Sequence, residues 1–330
     1  MKKSLLALAA LTAFAGVASA QSSVTLFGVV DLNARSTKTG SATIKSLSTD
    51  GAGSSRLGFR GVEDLGGGLR AGFWLESGLA ADNGAIGGSN GIATVHFNRR
   101  ATVSLMGGFG EVRLGRDYTP SFWNYTVFDP FGTNGVGSMS GIVNGSLGSG
   151  AITFVRDNNT IGYFLPAMGG VYGQVQVAAG EAATGQKYMG GRIGYAGGPV
   201  NVAAAFGKTA KTGPMVDTYS DINFGGSYNL GFLSLMGQYS KRDYSTSNQK
   251  TWLVGTVIPM GASSIKLSYV KSSGKGPTQA LTDSYEGKKF AAGYLYSLSK
   301  RSTLYTHVAK TTVVGPNDVT AYEFGINHTF

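Results

Sequence analysis

Arginine side chains in alternating segments are the residues of this sequence best suited to chemistry. Five of them occupy or adjoin polar positions where apolar and polar residues alternate: Arg56, Arg60, Arg99, Arg100 and Arg156. A guanidinium is always charged and offers five N–H donors in a fixed fork, so it suits the binding of carboxylates, phosphates and other anions. Lys266 and Lys289 are further cationic candidates, and Glu76 and Asp129 are the acidic ones. The pattern predicts a positively charged surface.

Motifs typical of catalysis gain no support from their surroundings. Residues 87–91 match G-x-S-x-G, but polar glycine-rich sequence flanks them, whereas a nucleophile elbow needs a strand before it and a helix after it. The three histidines lie on distant segments without an H-E-x-x-H motif, and cysteine is absent, so we expect no metal site. Glycine-rich turns such as 66–71 precede strands, which argues against dinucleotide binding. We expect neither an enzyme nor a cofactor.

The composition favours a large all-β protein. The chain has 330 residues with 52 glycines, 16 tyrosines and 17 phenylalanines, and only 14 % of its residues are charged. A mean hydropathy of +0.01 is too low for a bundle of membrane helices, and the low charge argues against disorder. The formal net charge is +10, but no basic stripe accompanies it, so no nucleic-acid partner is expected.

The first twenty residues predict an export signal. Lys2 and Lys3 precede an apolar run over 5–18, which ends in the A-x-A pattern at 18–20. The run is shorter than the ~20 residues that a membrane-spanning helix needs. We therefore expect 1–20 to be a cleaved signal peptide and 21–330 to be the mature domain.

Apolar and polar residues alternate with period two along most of the mature chain, which indicates strands with one apolar and one polar face. Sixteen such segments begin near Val24, Ser55, Leu69, Phe97, Glu111, Asn159, Val171, Lys187, Val200, Asp217, Leu233, Lys250, Ser263, Tyr285, Ser302 and Val319. Short glycine-rich turns alternate with longer polar connections such as 37–53 and 244–249. This pattern predicts a 16-stranded antiparallel transmembrane β-barrel. A soluble β-sandwich is the alternative, but sixteen strands without a linker exceed one sandwich.

Three segments carry a resemblance to a known family. They are QSSVTLFGVVD at 21–31, SRLGFRGVEDLGGGLRAGFWLE at 55–76 and GFGEVRLGR at 108–116. In these segments the chain resembles Gram-negative general porins, with its closest likeness to the anion-selective porins of beta-proteobacteria. The terminal Phe330 is similar to the carboxy-terminal aromatic residue by which such barrels are recognised for outer-membrane assembly. The likeness covers the mature chain and is weaker across the long loops.

The resemblance implies a homotrimer in the outer membrane, in contact with lipid and lipopolysaccharide. It also implies that the third long loop folds into the lumen, where arginines at the positions of Arg56, the Arg99–Arg100 pair and Arg156 face it across a constriction. Alternation favours Arg100 over Arg99 for the inward position, although a bulge could exchange the two. The expected lining of the constriction is therefore Arg56, Arg60, Arg99, Arg100, Arg156, Glu76 and Asp129.

The third long connection is recognisable from the residues themselves. Alternation stops over 119–150, which is aromatic and glycine-rich and has Asp129 as its only charged residue. An ordinary external loop is the alternative, but long uncharged loops of this kind usually have a function. The enteric relatives carry several carboxylates here, so the sequence argues against cation selectivity.

These observations predict a water-filled channel for the passive diffusion of small hydrophilic solutes, with a preference for anionic over cationic ones and passage of neutral ones. A substrate-specific outer-membrane channel for small organic acids is the alternative, although the aromatic residues are too few to establish a binding track. An outer-membrane barrel hydrolase would need a serine, a histidine and an orienting residue together, and no such set can be assembled.

Overall fold

The computed structural model describes residues 23–87, 95–143, 145–151, 153–182, 185–315 and 318–330. The predicted signal peptide at 1–20 lies outside the described residues, as does most of the G-x-S-x-G match at 87–91. The described residues contain two helices, α1 at Pro120–Val127 and α2 at Gln279–Tyr285, and a short 3-10 turn at Met139–Gly141. Neither helix is long and apolar enough to cross a bilayer.

Eighteen strands in the described residues form one antiparallel sheet. The first nine are β1 Ser23–Thr39, β2 Ala42–Thr49, β3 Arg56–Gly66, β4 Leu69–Ala80, β5 Ala85–Ile86, β6 Arg100–Gly107, β7 Gly110–Tyr118, β8 Arg156–Phe164 and β9 Val171–Ala179. The others are β10 Lys187–Gly197, β11 Val200–Thr209, β12 Tyr219–Asn229, β13 Ser234–Tyr244, β14 Ser247–Met260, β15 Ser263–Lys275, β16 Gly287–Ser297, β17 Ser302–Val313 and β18 Val319–Thr329.

The sheet closes on itself because β1 pairs with β18, from Val29 opposite Thr329 to Thr39 opposite Val319. The first half of β1 also pairs with β3 and its second half with β2, so β2 and β3 are two parts of one barrel strand. β5 is a two-residue strand that pairs with Leu79 and Ala80 at the end of β4. The eighteen segments therefore build sixteen barrel strands, which confirms the predicted closed 16-stranded antiparallel β-barrel.

Two connections differ from the sequence prediction. The sequence predicts a long loop over 37–53, but β1 continues to Thr39 and turns directly into β2. The predicted loop over 244–249 is instead a two-residue turn, with Tyr244 paired to Ser247. In both hairpins mostly polar side chains occupy both faces, so the backbone ladder persists where the alternation that marks a strand is lost.

The two faces of the barrel differ in polarity. Large apolar side chains point outward and are exposed, such as Phe324 at 61 % and Val202 at 46 %, whereas the inward-facing Asn223, Ser240 and Thr251 are fully buried. An apolar outer face around a polar interior suits a barrel in lipid. Because the sheet is closed, its backbone groups pair within the barrel and no sheet edge faces the membrane.

The connection between β7 and β8, residues 119–155, is named loop 3 and folds into the barrel, as predicted. Its helix α1 lies against the inner wall, where the Tyr125 hydroxyl donates to Asp221 over 3.0 Å and the Asn124 amide donates to Asn223 over 2.8 Å. Further along the loop, the Gly135 N–H donates to the Asp50 carbonyl over 2.8 Å. The Val136 N–H donates to the Glu323 carboxylate over 3.1 Å. Loop 3 is thus fastened to the inner wall at helix α1 and again at residues 135–136.

Candidate functional site

Glu76 lies at the centre of a cluster of guanidiniums on the inner wall. A tight glycine turn joins β3 to β4, and the two strands pair. In this pairing Glu76 lies opposite Gly58, and Gly78 lies opposite Arg56. The Arg99 Nε lies 2.6 Å from the Glu76 Oε1, and the Arg56 Nε lies 3.9 Å from the same atom. The indole N–H of Trp74 donates to the other carboxylate oxygen over 3.0 Å. One carboxylate therefore faces two guanidiniums.

The Tyr118 side chain joins Arg156 to this cluster. Its hydroxyl accepts hydrogen bonds from Arg99 over 3.0 Å and from Arg156 over 2.6 Å. The Arg156 guanidinium also lies over the Tyr118 ring, 4.2 Å from its centroid. Among the described residues Arg156 has no ion-pair partner, and its buried Nε has no hydrogen-bond partner. We name Arg56, Arg99 and Arg156 with Glu76 the upper cluster.

Arg99 and Arg100 both turn toward the lumen, although the sequence suggests that one replaces the other. Arg100 begins β6 on the same inward face as Thr102, to whose hydroxyl its Nε donates over 3.1 Å. Arg99 precedes the strand, so its side chain is free of strand alternation and reaches back to Glu76. Because β6 begins at Arg100, neighbouring residues 99 and 100 can both direct their side chains into the lumen.

Arg60 and Arg100 belong to a second group, closer to the short turns. The Arg100 guanidinium lies 4.5 Å from the Trp74 ring centroid, and that of Arg60 lies 5.1 Å from it. Arg113 of β7 is held by Glu111 through Nε at 2.9 Å and by Asp117 through Nη1 at 2.6 Å. The Arg100 Nε lies 3.7 Å from Asp117. We name the guanidiniums of Arg60, Arg100 and Arg113 with their two carboxylates the lower cluster.

Asp129 is buried inside loop 3, whereas the sequence analysis expects it to line the constriction. Its carboxylate is buried within loop 3 and accepts the backbone N–H groups of Phe131 and Met139, each over 2.9 Å. Burial raises the pKa of Asp129, and these N–H groups, Lys289 and Lys266 oppose the rise. The carboxylate therefore stabilises the conformation of loop 3, because it accepts hydrogen bonds from the loop's own backbone and does not face the lumen.

Lys266 and Lys289 lie beneath loop 3. The Lys289 ammonium donates to the Ser138 carbonyl over 2.6 Å, and the Lys266 ammonium lies 5.8 Å from the Phe131 ring centroid. Both ammonium groups contact loop 3, so they contribute less positive charge to the open lumen than the sequence suggests.

The sequence prediction missed several charged residues inside the barrel: Glu111, Arg113 and Asp117 of the lower cluster, and Arg116 and Arg192 outside both clusters. Arg113 and Asp117 face the polar side of β7, opposite Val112 and Leu114, so alternation alone could have identified them. Arg116 could not have been found in this way, because the strand register shifts between Gly115 and Asp117. Its guanidinium donates to Asn158 over 2.5 Å.

The two clusters together form a positively charged wall, the arginine wall, carried by β3, β4, β6, β7 and the start of β8. Six guanidiniums face three carboxylates, those of Glu76, Glu111 and Asp117. Loop 3 contributes no compensating charge to this wall, since Asp129 is turned into the loop. The arrangement can attract anions.

Comparisons with known proteins agree with this geometry. The outer membrane porin protein 32 of Delftia acidovorans is 40 % identical over 326 residues, covering 94 % of this chain and 89 % of that protein. An outer membrane porin of Bordetella pertussis is 27 % identical over the full length of both chains. Among solved structures, an anion-selective porin from Comamonas acidovorans superposes with a TM-score of 0.81 and 32 % identity, covering 94 % of this chain and 100 % of that one.

The family model described as Gram-negative porin matches residues 7–315. The closed barrel, the inward loop and this match lead to one conclusion: the chain belongs to the Gram-negative porin family.

Proposed function

We propose that this outer-membrane protein is a water-filled diffusion channel that prefers anions, with the arginine wall as its selective surface. The observation that carries the proposal is the excess of six guanidiniums over three carboxylates opposite a loop without free charge. The structural relative from Comamonas acidovorans is itself described as anion-selective. In this proposal the protein has no catalytic activity, and small anionic or neutral solutes pass through it.

The magnitude of the effect supports a clear preference. Two unit charges ~4 Å apart interact by about 1 kcal/mol in water and about 4 kcal/mol at an effective dielectric of 20. A narrow lumen with low-dielectric walls lies between these limits and focuses the field. Even ~1 kcal/mol raises the local anion concentration about fivefold. Rings of arginine and lysine are a known means of anion selection in pores.

A reversal-potential measurement tests the proposal. The purified protein is inserted into a planar bilayer with a KCl gradient around 0.1 M, where we expect the potential to have the sign of chloride selectivity. Near 1 M KCl the preference should weaken, because the Debye length falls from ~10 Å to ~3 Å. A wild-type channel that prefers potassium at 0.1 M would refute the arginine wall as the selective surface.

The proposal extends to processing and assembly. We propose that residues 1–20 are removed on export, that 21–330 form the barrel, and that three copies assemble in outer-membrane lipid and lipopolysaccharide. The outward faces of the first and last strands support this assembly, since Leu47, Tyr322 and Phe324 are all more than half exposed there. Closed cyclic symmetry is the usual form of homo-oligomers.

A further inference from the structure

A recess of about 460 Å³ opens between helix α1 and the wall strands β6–β10. Its lining combines charged and aromatic side chains from the helix and from five strands. The residues that matter for the argument are Arg100, Arg113, Trp123, Phe164, Gln174 and Arg192. Arg100 and Arg113 belong to the lower cluster, so the recess is a side chamber of the lumen beneath loop 3.

The charges of the recess are only partly balanced. Arg100 and Arg113 share Asp117, and Arg113 also pairs with Glu111. Arg192 has no carboxylate within ion-pair distance among the described residues; its Nε donates to the Asn124 side-chain oxygen over 2.6 Å. Three guanidiniums therefore face two carboxylates. The recess can take up one further negative charge.

Two sets of donors are available for that charge. The Arg192 Nη2 donates to the Tyr172 hydroxyl over 3.3 Å, which leaves further N–H groups of the guanidinium without a protein acceptor among the described residues. Gln174 lines the same recess and is only 7 % exposed, yet its Nε2 has no hydrogen-bond partner among the described residues. A buried amide without an acceptor is costly, and a bound anion would supply the acceptor.

The remaining surface of the recess is aromatic. Trp123 of α1 is half-buried, and the Phe164 ring lies under the Arg113 guanidinium at 4.0 Å. Flat rings and guanidinium planes line the recess, and such faces suit contact with a flat apolar body. A small hydrated ion would leave these faces uncovered.

We propose that the recess binds a small planar aromatic carboxylate, a monoanion of the benzoate class. Its carboxylate accepts hydrogen bonds from Arg192 and Gln174, and its ring packs against Trp123. The single uncompensated positive charge matches one carboxylate, whereas a dianion would bring a second negative charge without a partner. The proposal rests on the proposed function, since the ligand reaches the recess only through an open lumen.

The test measures single-channel conductance in KCl with added sodium benzoate, and with sodium acetate at equal concentration as the control for charge. We expect benzoate to reduce or interrupt the wild-type current in a saturable way, and acetate to have little effect. Equal effects of benzoate and acetate on the wild-type channel would overturn the proposal. That outcome needs no variant, so it does not depend on the folding of one.

Two variants locate the site. Arg192→Gln should raise the half-blocking benzoate concentration about tenfold, because it removes a charge-assisted hydrogen bond. Trp123→Leu should weaken the block as well, because it removes the ring against which the ligand packs. Arg301→Gln, in an exposed turn outside the recess, is the matched control. Block that persists unchanged in both recess variants would refute the site.

The same recordings separate this inference from the proposed function. The KCl reversal potential without benzoate reports the anion preference alone. An anion-preferring channel that benzoate does not block would refute the recess and leave the proposed function intact. A potassium-preferring channel would refute the proposed function itself.

Discussion

Glu76 and Arg156 of the upper cluster differ in how far neighbouring groups compensate their charges. Glu76 is buried among Arg56, Arg99 and Trp74, so its charge is compensated and its removal would free two guanidiniums. Arg156 donates to the Tyr118 hydroxyl and has no ion-pair partner among the described residues. Its charge is therefore the one in the cluster that is least reduced by a neighbour.

Substitutions at these two positions should shift selectivity in opposite directions. Glu76→Gln removes a negative charge at nearly constant volume, so the chloride-to-potassium permeability ratio should rise about two- to fivefold at 0.1 M KCl. Arg156→Gln should lower the ratio by a similar factor. The reversal potential of each variant is the measurement, with Arg301→Gln as the control. Shifts of the same sign in both variants would contradict an electrostatic origin.

Much of this wall is predictable from the residue pattern, because strand alternation assigns each side chain to a face. Arg56, Arg60, Arg100 and Glu76 are found on the inner wall in this way. The pairing among them is not predictable, since Glu76 meets Arg99 through a residue that precedes its strand. Asp129 is misplaced for the same reason: a loop residue has no alternation to orient it.

At the scale of elements, the course of loop 3 depends on three inward-facing glycines on β12, β14 and β16. The Phe128 ring lies against Gly225, Pro130 lies against Gly255, and the Phe131 ring lies against Gly293. A side chain at any of these glycines would occupy the space of the loop residue above it. The glycines form a groove in the wall, and the apolar residues of the loop fill it.

Gly225→Leu should displace the loop from this groove. The new side chain would collide with the Phe128 ring and push the loop toward the lumen, so single-channel conductance should fall. Gly226→Leu is the matched control, because the next residue along β12 points to the opposite face, where the nearest atom is a Val202 methyl at 3.3 Å. Equal conductance in the two variants would show that the groove does not hold the loop.

At the scale of the whole molecule, the seam between the chain ends completes the barrel. The Phe330 N–H donates to the Gly28 carbonyl, and the Gly28 N–H donates to the Phe330 carbonyl, each over 3.1 Å. The Phe330 ring covers Gly28, where a side chain could not fit. Phe330 thus adds one more residue pair to the backbone hydrogen bonds between β1 and the end of the chain, next to the face proposed for subunit contact.

The trimer proposal predicts different effects for two outward phenylalanines. Cross-linking in mild detergent should give dimers and trimers for the wild type. Phe324→Ser on β18 should lower the temperature at which the trimer dissociates, because it removes apolar area from the proposed contact. Phe206→Ser on β11 removes an equal side chain, 46 % exposed in the described chain, from the lipid-facing side and should have little effect. Monomers alone after cross-linking of the wild type would refute the trimer.

The pattern of residues is sufficient to predict a closed sixteen-stranded barrel, the start of fifteen of its strands within three residues, and a positively charged inner wall. The exception is the second barrel strand, which begins at Ala42 and not near Ser55. These properties follow from period-two alternation, which is a local property of the sequence and can be recognised without knowledge of any tertiary contact. The three-dimensional structure alone fixes the partners of Glu76, the burial of Asp129 within loop 3 and the recess beneath α1. The first and the last of these join residues from separate segments of the chain, such as Glu76 with Arg99 and Gln174 with Trp123, whereas Asp129 is held by donors of its own loop. Such contacts depend on strand register and on the path of a loop without periodicity, so no local pattern can specify them.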